Sequence, residues 1–193
     1  MQYRHPAFTR RQYLIRRKVF KLFGGAFHVY DESGNLVLFS KQKAFKIRED
    51  FRIYSDESQA QELLSIKTPN IIDFSATYYV RDASAGEEVG AIKRKGLKSL
   101  FKDEWIILSS QNQEIGMITE ASLFSAFLSR FINLIPQTYI ILAGSREIGR
   151  IKQHFNPFIL KYTLTLIEPE PSIDARILIA AGILLAGVER RQR

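Results

Sequence analysis

The sequence predicts a mainly β domain wrapped around an apolar C-terminal helix. Three observations carry that prediction. Short stretches alternate apolar and polar residues between turn signals, a Glu-aliphatic-Gly segment recurs three times, and one apolar stretch near the C-terminus must be enclosed. The composition allows it: 193 residues are 46% hydrophobic and 25% charged, with 28 Lys+Arg against 20 Asp+Glu and a formal charge of +8. These are the proportions of a folded chain. The length predicts one domain over 1–193, with a core at about 13–189 and a basic N-terminal extension over 1–12.

Strand signals come first along the chain. Phe45, Ile47, Phe51 and Ile53, then Thr77, Tyr79, Ala91 and Lys93, show period-two spacing. Turn residues separate them at 31–35, 82–86, 111–113 and 144–145. Glu88-Val89-Gly90-Ala91-Ile92-Lys93 returns as Glu114-Ile115-Gly116-Met117-Ile118 and as Glu147-Ile148-Gly149-Arg150-Ile151-Lys152, each copy after a turn. Glycine at a fixed place in a strand predicts a bulge or the close approach of another backbone. Between the second and third copies, 121–135 reads as an amphipathic helix, with Leu123, Phe124, Phe127, Leu128, Phe131, Ile132 and Leu134, ended by Pro136.

Ile177 to Val188 contains no polar side chain. As a helix it spans about 18 Å, short of the ~30 Å hydrocarbon core of a bilayer. Its large aliphatic residues represent roughly 10–20 kcal/mol of gross burial, too much to leave in water. Length favours enclosure by protein, with Ile177, Leu178, Ile179, Gly182, Ile183, Leu184 and Leu185 forming the centre of the core. Ala180, Ala181, Gly182, Ala186 and Gly187 narrow the helix to suit a tunnel of strands. The Gly182/Ala186 spacing also suits helix pairing in a membrane. Ser172 or Asp174 can cap its start.

Chemistry is poorly supplied. There are no cysteines and three histidines, at 5, 28 and 154. No nucleophile elbow, phosphate-cradling Gly-rich loop or His-Glu-x-x-His motif occurs. His28 and His154 read as structural hydrogen-bonders, and Asp103-Glu104 as a polar turn beside Trp105. The expectation is a protein that is not an enzyme, with no cofactor and no metal. Cations are abundant instead. Lys93, Arg94, Lys95, Lys98 and Lys102 form one cluster, Arg16, Arg17 and Lys18 a second, and Arg10 and Arg11 a third. If strand alternation brings the first two to one face, binding to anionic lipid follows; if it scatters them, they are solvated surface. Nucleic acid is the rival partner for so basic a chain, but no motif for it is present. The N-terminal 30 residues are basic and acid-free, without an apolar signal region, so a cytoplasmic location is expected.

The stretch from Leu36-Val37-Leu38-Phe39-Ser40-Lys41, through Phe51-Arg52-Ile53-Tyr54-Ser55-Asp56-Glu57 and Glu62-Leu63-Leu64-Ser65-Ile66-Lys67, to Ile71-Ile72-Asp73-Phe74-Ser75 resembles a known family. So do Lys95-Gly96-Leu97-Lys98-Ser99-Leu100, Asp103-Glu104-Trp105, Phe155-Asn156-Pro157-Phe158 and the apolar C-terminal segment. Together they are similar to the LURP-one-related and phospholipid-scramblase-like branch of the tubby C-terminal superfamily, over about Tyr13 to Glu189. The resemblance implies a closed antiparallel β-barrel of about twelve strands enclosing the hydrophobic helix. Closure would also remove exposed strand edges. It further implies a non-enzymatic module associated with membrane lipids, binding anionic phospholipid head groups at the inner membrane face. Scrambling of lipids between leaflets, or a partner-binding barrel with no lipid role, are its alternatives. The acidic stretches lack the ligand spacing of a calcium loop, so calcium control is not carried over.

Overall fold

The computed structural model describes residues 5–20, 24–43, 50–68, 76–95, 104–121, 136–155, 159–168 and 172–188. Twelve strands follow one another: β1 (Gln12–Phe20), β2 (Gly24–Tyr30), β3 (Leu36–Lys43), β4 (Asp50–Tyr54), β5 (Glu62–Lys67) and β6 (Thr77–Asp82). Then come β7 (Glu87–Arg94), β8 (Glu104–Ser109), β9 (Glu114–Glu120), β10 (Thr138–Ala143), β11 (Arg146–His154) and β12 (Leu160–Leu166). Each pairs antiparallel with its neighbour in sequence, and β12 pairs with β1 to close the ring, as expected. The helix expected over 121–135 lies outside the described residues, Ala121 excepted.

The three glycine echoes are three bulges. Val80 faces Gly90 but Arg81 faces Glu88, so Val89 is extra. Ile115 and Ile148 are extra in the same way, beside Gly116 and Gly149. Val37 and Leu63 repeat the device in β3 and β5 without a glycine. A bulge in the second strand of successive hairpins bends and twists each one, which helps the sheet curl shut. The glycines serve a second purpose. A Cβ at Gly116 would lie 2.5 Å from both the Leu142 carbonyl oxygen and Ile173 Cδ1.

Inside the ring lies the helix α1 (Ala175–Val188), buried at every position from Ala175 to Gly187. The tunnel is tight: a Cβ on Gly182 would meet Ile15 Cδ1 at 2.6 Å, and one on Gly187 the Phe51 ring at 3.2 Å. Of the two candidate caps, Asp174 does the capping, its carboxylate accepting from the Arg176 amide at 2.9 Å. Among the described residues, no helix is long and apolar enough to cross a membrane.

Both ends of the helix carry an arginine. At its start, Arg176 donates to Asp174 (2.8 Å), Asp82 (2.6 Å) and Glu87 (3.0 Å). The Asp174 hydrogen bond is the main reason its pKa is raised, with burial opposing. At its end, Arg17 of β1 donates to the carbonyls of Ala186 (3.1 Å) and Gly187 (3.2 Å). The N-terminal segment also joins the core: Ala7 and Phe8 are buried, and Arg11 reaches the Ile167 carbonyl at 2.7 Å.

Candidate functional site

The register gathers most of the described carboxylates at one end, where Arg10, Arg81, Arg146, Arg150 and Arg176 pair with them or face them, and most of the described lysines at the other. At the helix N-terminal end lie tight hairpin turns, and their chemistry recruits acids and hydroxyls. Asp31 accepts from the amides of Ser33 and Asn35, Asp56 from Ser58, and Asp82 from Ser84 and Ala85. Side-chain acceptors of this kind stand in for missing backbone partners in tight turns. The Asn35 amide is the main cause holding the Asp31 carboxyl below its ordinary pKa. Glu87, Glu88, Glu114, Glu147 and Glu168 lie at or beside the same end.

The opposite end is basic. Arg16, Arg17 and Lys18 close β1, Lys41 lies late in β3, and Lys67 ends β5. Lys93 and Arg94 end β7, with Lys95 next, while Lys152 lies late in β11 and Lys161 early in β12. Among the residues whose side chains are described, only Glu104 and Glu120 place a carboxylate there, and Glu120 is buried.

Alternation then sorts the cations. Lys93 and Lys95 are exposed, whereas Arg94 between them turns toward the interior and stacks over the buried Trp105 at 5.6 Å. Lys95 pairs with Glu104 at 3.1 Å. On β1, Lys18 is exposed and Arg16 half-buried beside Tyr30, but Arg17 points inward, 8% exposed, over Phe27. Arg17 is therefore a helix cap rather than a surface cation, because alternation along β1 directs it into the tunnel. Lys98 and Lys102 lie outside the described residues.

Two outward patches result. On one wall, β11, β12 and β1 bring His154, Lys161 and Arg16 into line, since His154 faces Lys161 and Lys161 faces Arg16. Burial is the main cause of a lowered pKa at His154, helped by Lys152 and Lys161. Its Nε2 lies 2.7 Å from Thr163 Oγ1. The other wall carries Lys67 and Lys93 at the basic end. From Lys67 a groove of about 380 Å³ lined by Ser65, Lys67, Tyr79, Arg81, Gly86 and Glu88 runs toward the acidic end, where Arg81 faces Glu88 and donates to the Gly86 carbonyl at 2.9 Å. Six strand steps separate β1 from β7 in the ring, so the patches occupy opposite walls of one end.

Residues 36–186 match the LURP-one-related family. The chain belongs to that family. The match covers most of the barrel and nearly all of α1, and the fold agrees with the expectation drawn from the resemblance. No curated protein matches the chain. In this LURP-one-related barrel the described residues contain no cluster of three or more His, Cys, Asp or Glu able to hold a metal. His28 is buried, with Nε2 2.5 Å from Glu57 Oε1 and its ring against Tyr30 and Phe39. Sequence reading missed Lys67, Lys152 and Lys161 as members of these patches. They come from separate strands, and only the register makes them neighbours.

Proposed function

We propose that this LURP-one-related chain is a non-enzymatic module that docks the helix C-terminal end of its barrel on anionic phospholipid head groups, peripherally. One observation carries the reading: among the described residues, outward cations from opposite walls gather at one end of the barrel. The acids at the other end have work in the hairpins, and Arg17, Arg94 and Lys95 are engaged by the helix, Trp105 and Glu104. Arg16, Lys18, Lys67, Lys93, Lys152 and Lys161 remain turned outward, each worth about 1 kcal/mol at an anionic surface. The groove on that wall adds Ser65 and Tyr79 beside Lys67, polar groups suited to phosphate oxygens, while its acidic-end side holds Glu88 and Arg81, which donates to the Gly86 carbonyl. The apolar helix is enclosed, so this mode of association leaves it in place.

Vesicle co-sedimentation tests the reading. Binding is expected with vesicles containing phosphatidylserine, not with phosphatidylcholine alone, and should fall as salt shortens the Debye length. Lys67→Glu/Lys93→Glu and Lys18→Glu/Lys161→Glu should each weaken it. Equal binding to neutral vesicles, or tighter and more steeply salt-dependent binding to an oligonucleotide, would overturn the lipid assignment.

A further inference from the structure

The large apolar side chains that the described residues leave exposed are Phe155, 58% exposed, and Ile167, 45% exposed. They sit at opposite ends of the barrel. Ile167 follows β12 at the acidic end, next to Glu168, which pairs with Arg146. Phe155 follows β11 at the basic end, directly after His154. Around it on that wall, Lys152 and Lys18 are exposed, while Lys161 and Arg16 sit in line with His154 through the strand register.

Single exposed apolar residues are common, so exposure alone implies nothing. The surroundings matter here. An exposed benzyl side chain at the end of β11, beside these cations, matches a surface that offers phosphates outside and hydrocarbon a few ångströms deeper. Amphipathic membrane-surface elements use this combination: cations meet the head groups while an aromatic ring enters the boundary below them. A nucleic acid or an acidic protein surface would engage the same cations, but neither provides the hydrocarbon layer.

We propose that Phe155 is an interfacial anchor. Its ring inserts at the head-group boundary of an anionic bilayer while Lys152, Lys161, Arg16 and Lys18 hold lipid phosphates. The inference rests on the proposed lipid docking and adds its orientation: the β11–β12–β1 wall leads. The charged partners bring the barrel to the surface from solution, and the ring then adds a contact that salt does not screen.

Phe155→Trp provides the readout, because the natural Trp105 is 1% exposed and contributes a fixed background. With phosphatidylserine vesicles the new indole emission should shift to the blue and be quenched by brominated acyl chains; inorganic phosphate should do neither. In parallel, Phe155→Ser should weaken vesicle partitioning about tenfold at both low and high salt, equivalent to about 1.4 kcal/mol. Ile167→Ser should leave it unchanged. Co-sedimentation of Phe155→Trp without a blue shift would overturn the anchor while leaving lipid docking intact. Failure to co-sediment would overturn both. Indole emission already blue without vesicles would mean that a second copy of the chain covers the ring, and would also overturn the proposal.

Discussion

Replacing Arg17 with methionine separates a helix cap from a surface cation. The guanidinium makes two hydrogen bonds to the last-turn carbonyls of Ala186 and Gly187 in a site 8% exposed. Hydrogen bonds from a charged donor contribute about 1.5–3 kcal/mol each, and a buried carbonyl left without a partner costs about 1–3 kcal/mol. A cation at a helix C-terminus adds up to ~2 kcal/mol in a partly buried site. Methionine keeps most of the stem's packing and removes the charge. These contributions overlap, so Arg17→Met should destabilise the barrel by about 3–4 kcal/mol. For a chain of this size that lowers the melting temperature by roughly 6–16 °C, at 2–4 °C per kcal/mol. Urea unfolding followed by circular dichroism measures it, with Lys18→Met as the exposed neighbour, expected to change stability by less than about 0.5 kcal/mol. If Arg17→Met melts with the wild type but loses vesicle binding, the capping argument fails and Arg17 belongs with the surface cations.

Three further outcomes are expected. Ile183→Asp places a carboxylate where the native side chain is 0% exposed; a buried unpaired charge costs several kcal/mol, so the variant should be insoluble or lack a cooperative transition. Gly116→Ala drives a methyl against the Leu142 carbonyl and Ile173, and should cost about 1–3 kcal/mol in urea unfolding. Acid should weaken the contact between the Arg176 cluster and the barrel. Burial, the largest influence on Asp82, pushes its pKa up, but the Ser84 hydroxyl, the Ala85 amide and Arg176 together bring it below the ordinary value. Its contribution is thus complete above the unfolded carboxylate value of about 3.9 and drains away as pH falls toward the folded value. Thermal melts across that acid range should decline less steeply for Asp82→Asn than for wild type.

What the sequence disclosed and concealed follows from locality. An apolar run that no surface can tolerate, a carboxylate placed to cap it, and small residues that let strands approach are properties of one segment. The enclosed helix was therefore legible, and its cap was narrowed to Ser172 or Asp174, between which the Arg176 amide decides. The bulges at Val89, Ile115 and Ile148 announced themselves through an adjacent glycine. Those at Val37 and Leu63 did not, although Glu62-Leu63 repeats the Glu-aliphatic half of the motif. Charge runs were visible, but a run of consecutive cations in a strand cannot share a face: Arg94 and Arg17 are each sent inward between outward lysines or arginines. Closure was the hidden step. Nothing near Arg16 indicates that Lys161 will lie beside it, because their adjacency exists only once β12 returns to β1.

The separation of charge by ends has a consequence that net charge conceals. Strands of five to nine residues span roughly 17–30 Å, at 3.3–3.4 Å each. At physiological salt the Debye length is about 8 Å, so the acidic turns are screened from whatever the basic end faces. Turn amides hold Asp31, Asp56 and Asp82 at their end, and Glu87, Glu147 and Glu168 pair there with Arg176, Arg150 and Arg146. Asp174 sits at the helix start, where its charge also suits the positive pole of the helix dipole. The basic end, by its described residues, thus presents more positive charge than a uniform spread of +8 would. Glu114 and Lys93 are both exposed, and neutralising either changes the net charge by one unit. If attraction depends on the end, Glu114→Gln leaves vesicle affinity within about a factor of two, whereas Lys93→Gln lowers it about fivefold at low salt, in line with ~1 kcal/mol per cation near the surface. If Glu114→Gln strengthens binding as much as Lys93→Gln weakens it, the protein responds to its total charge, and the orientation argued from the barrel's polarity is wrong.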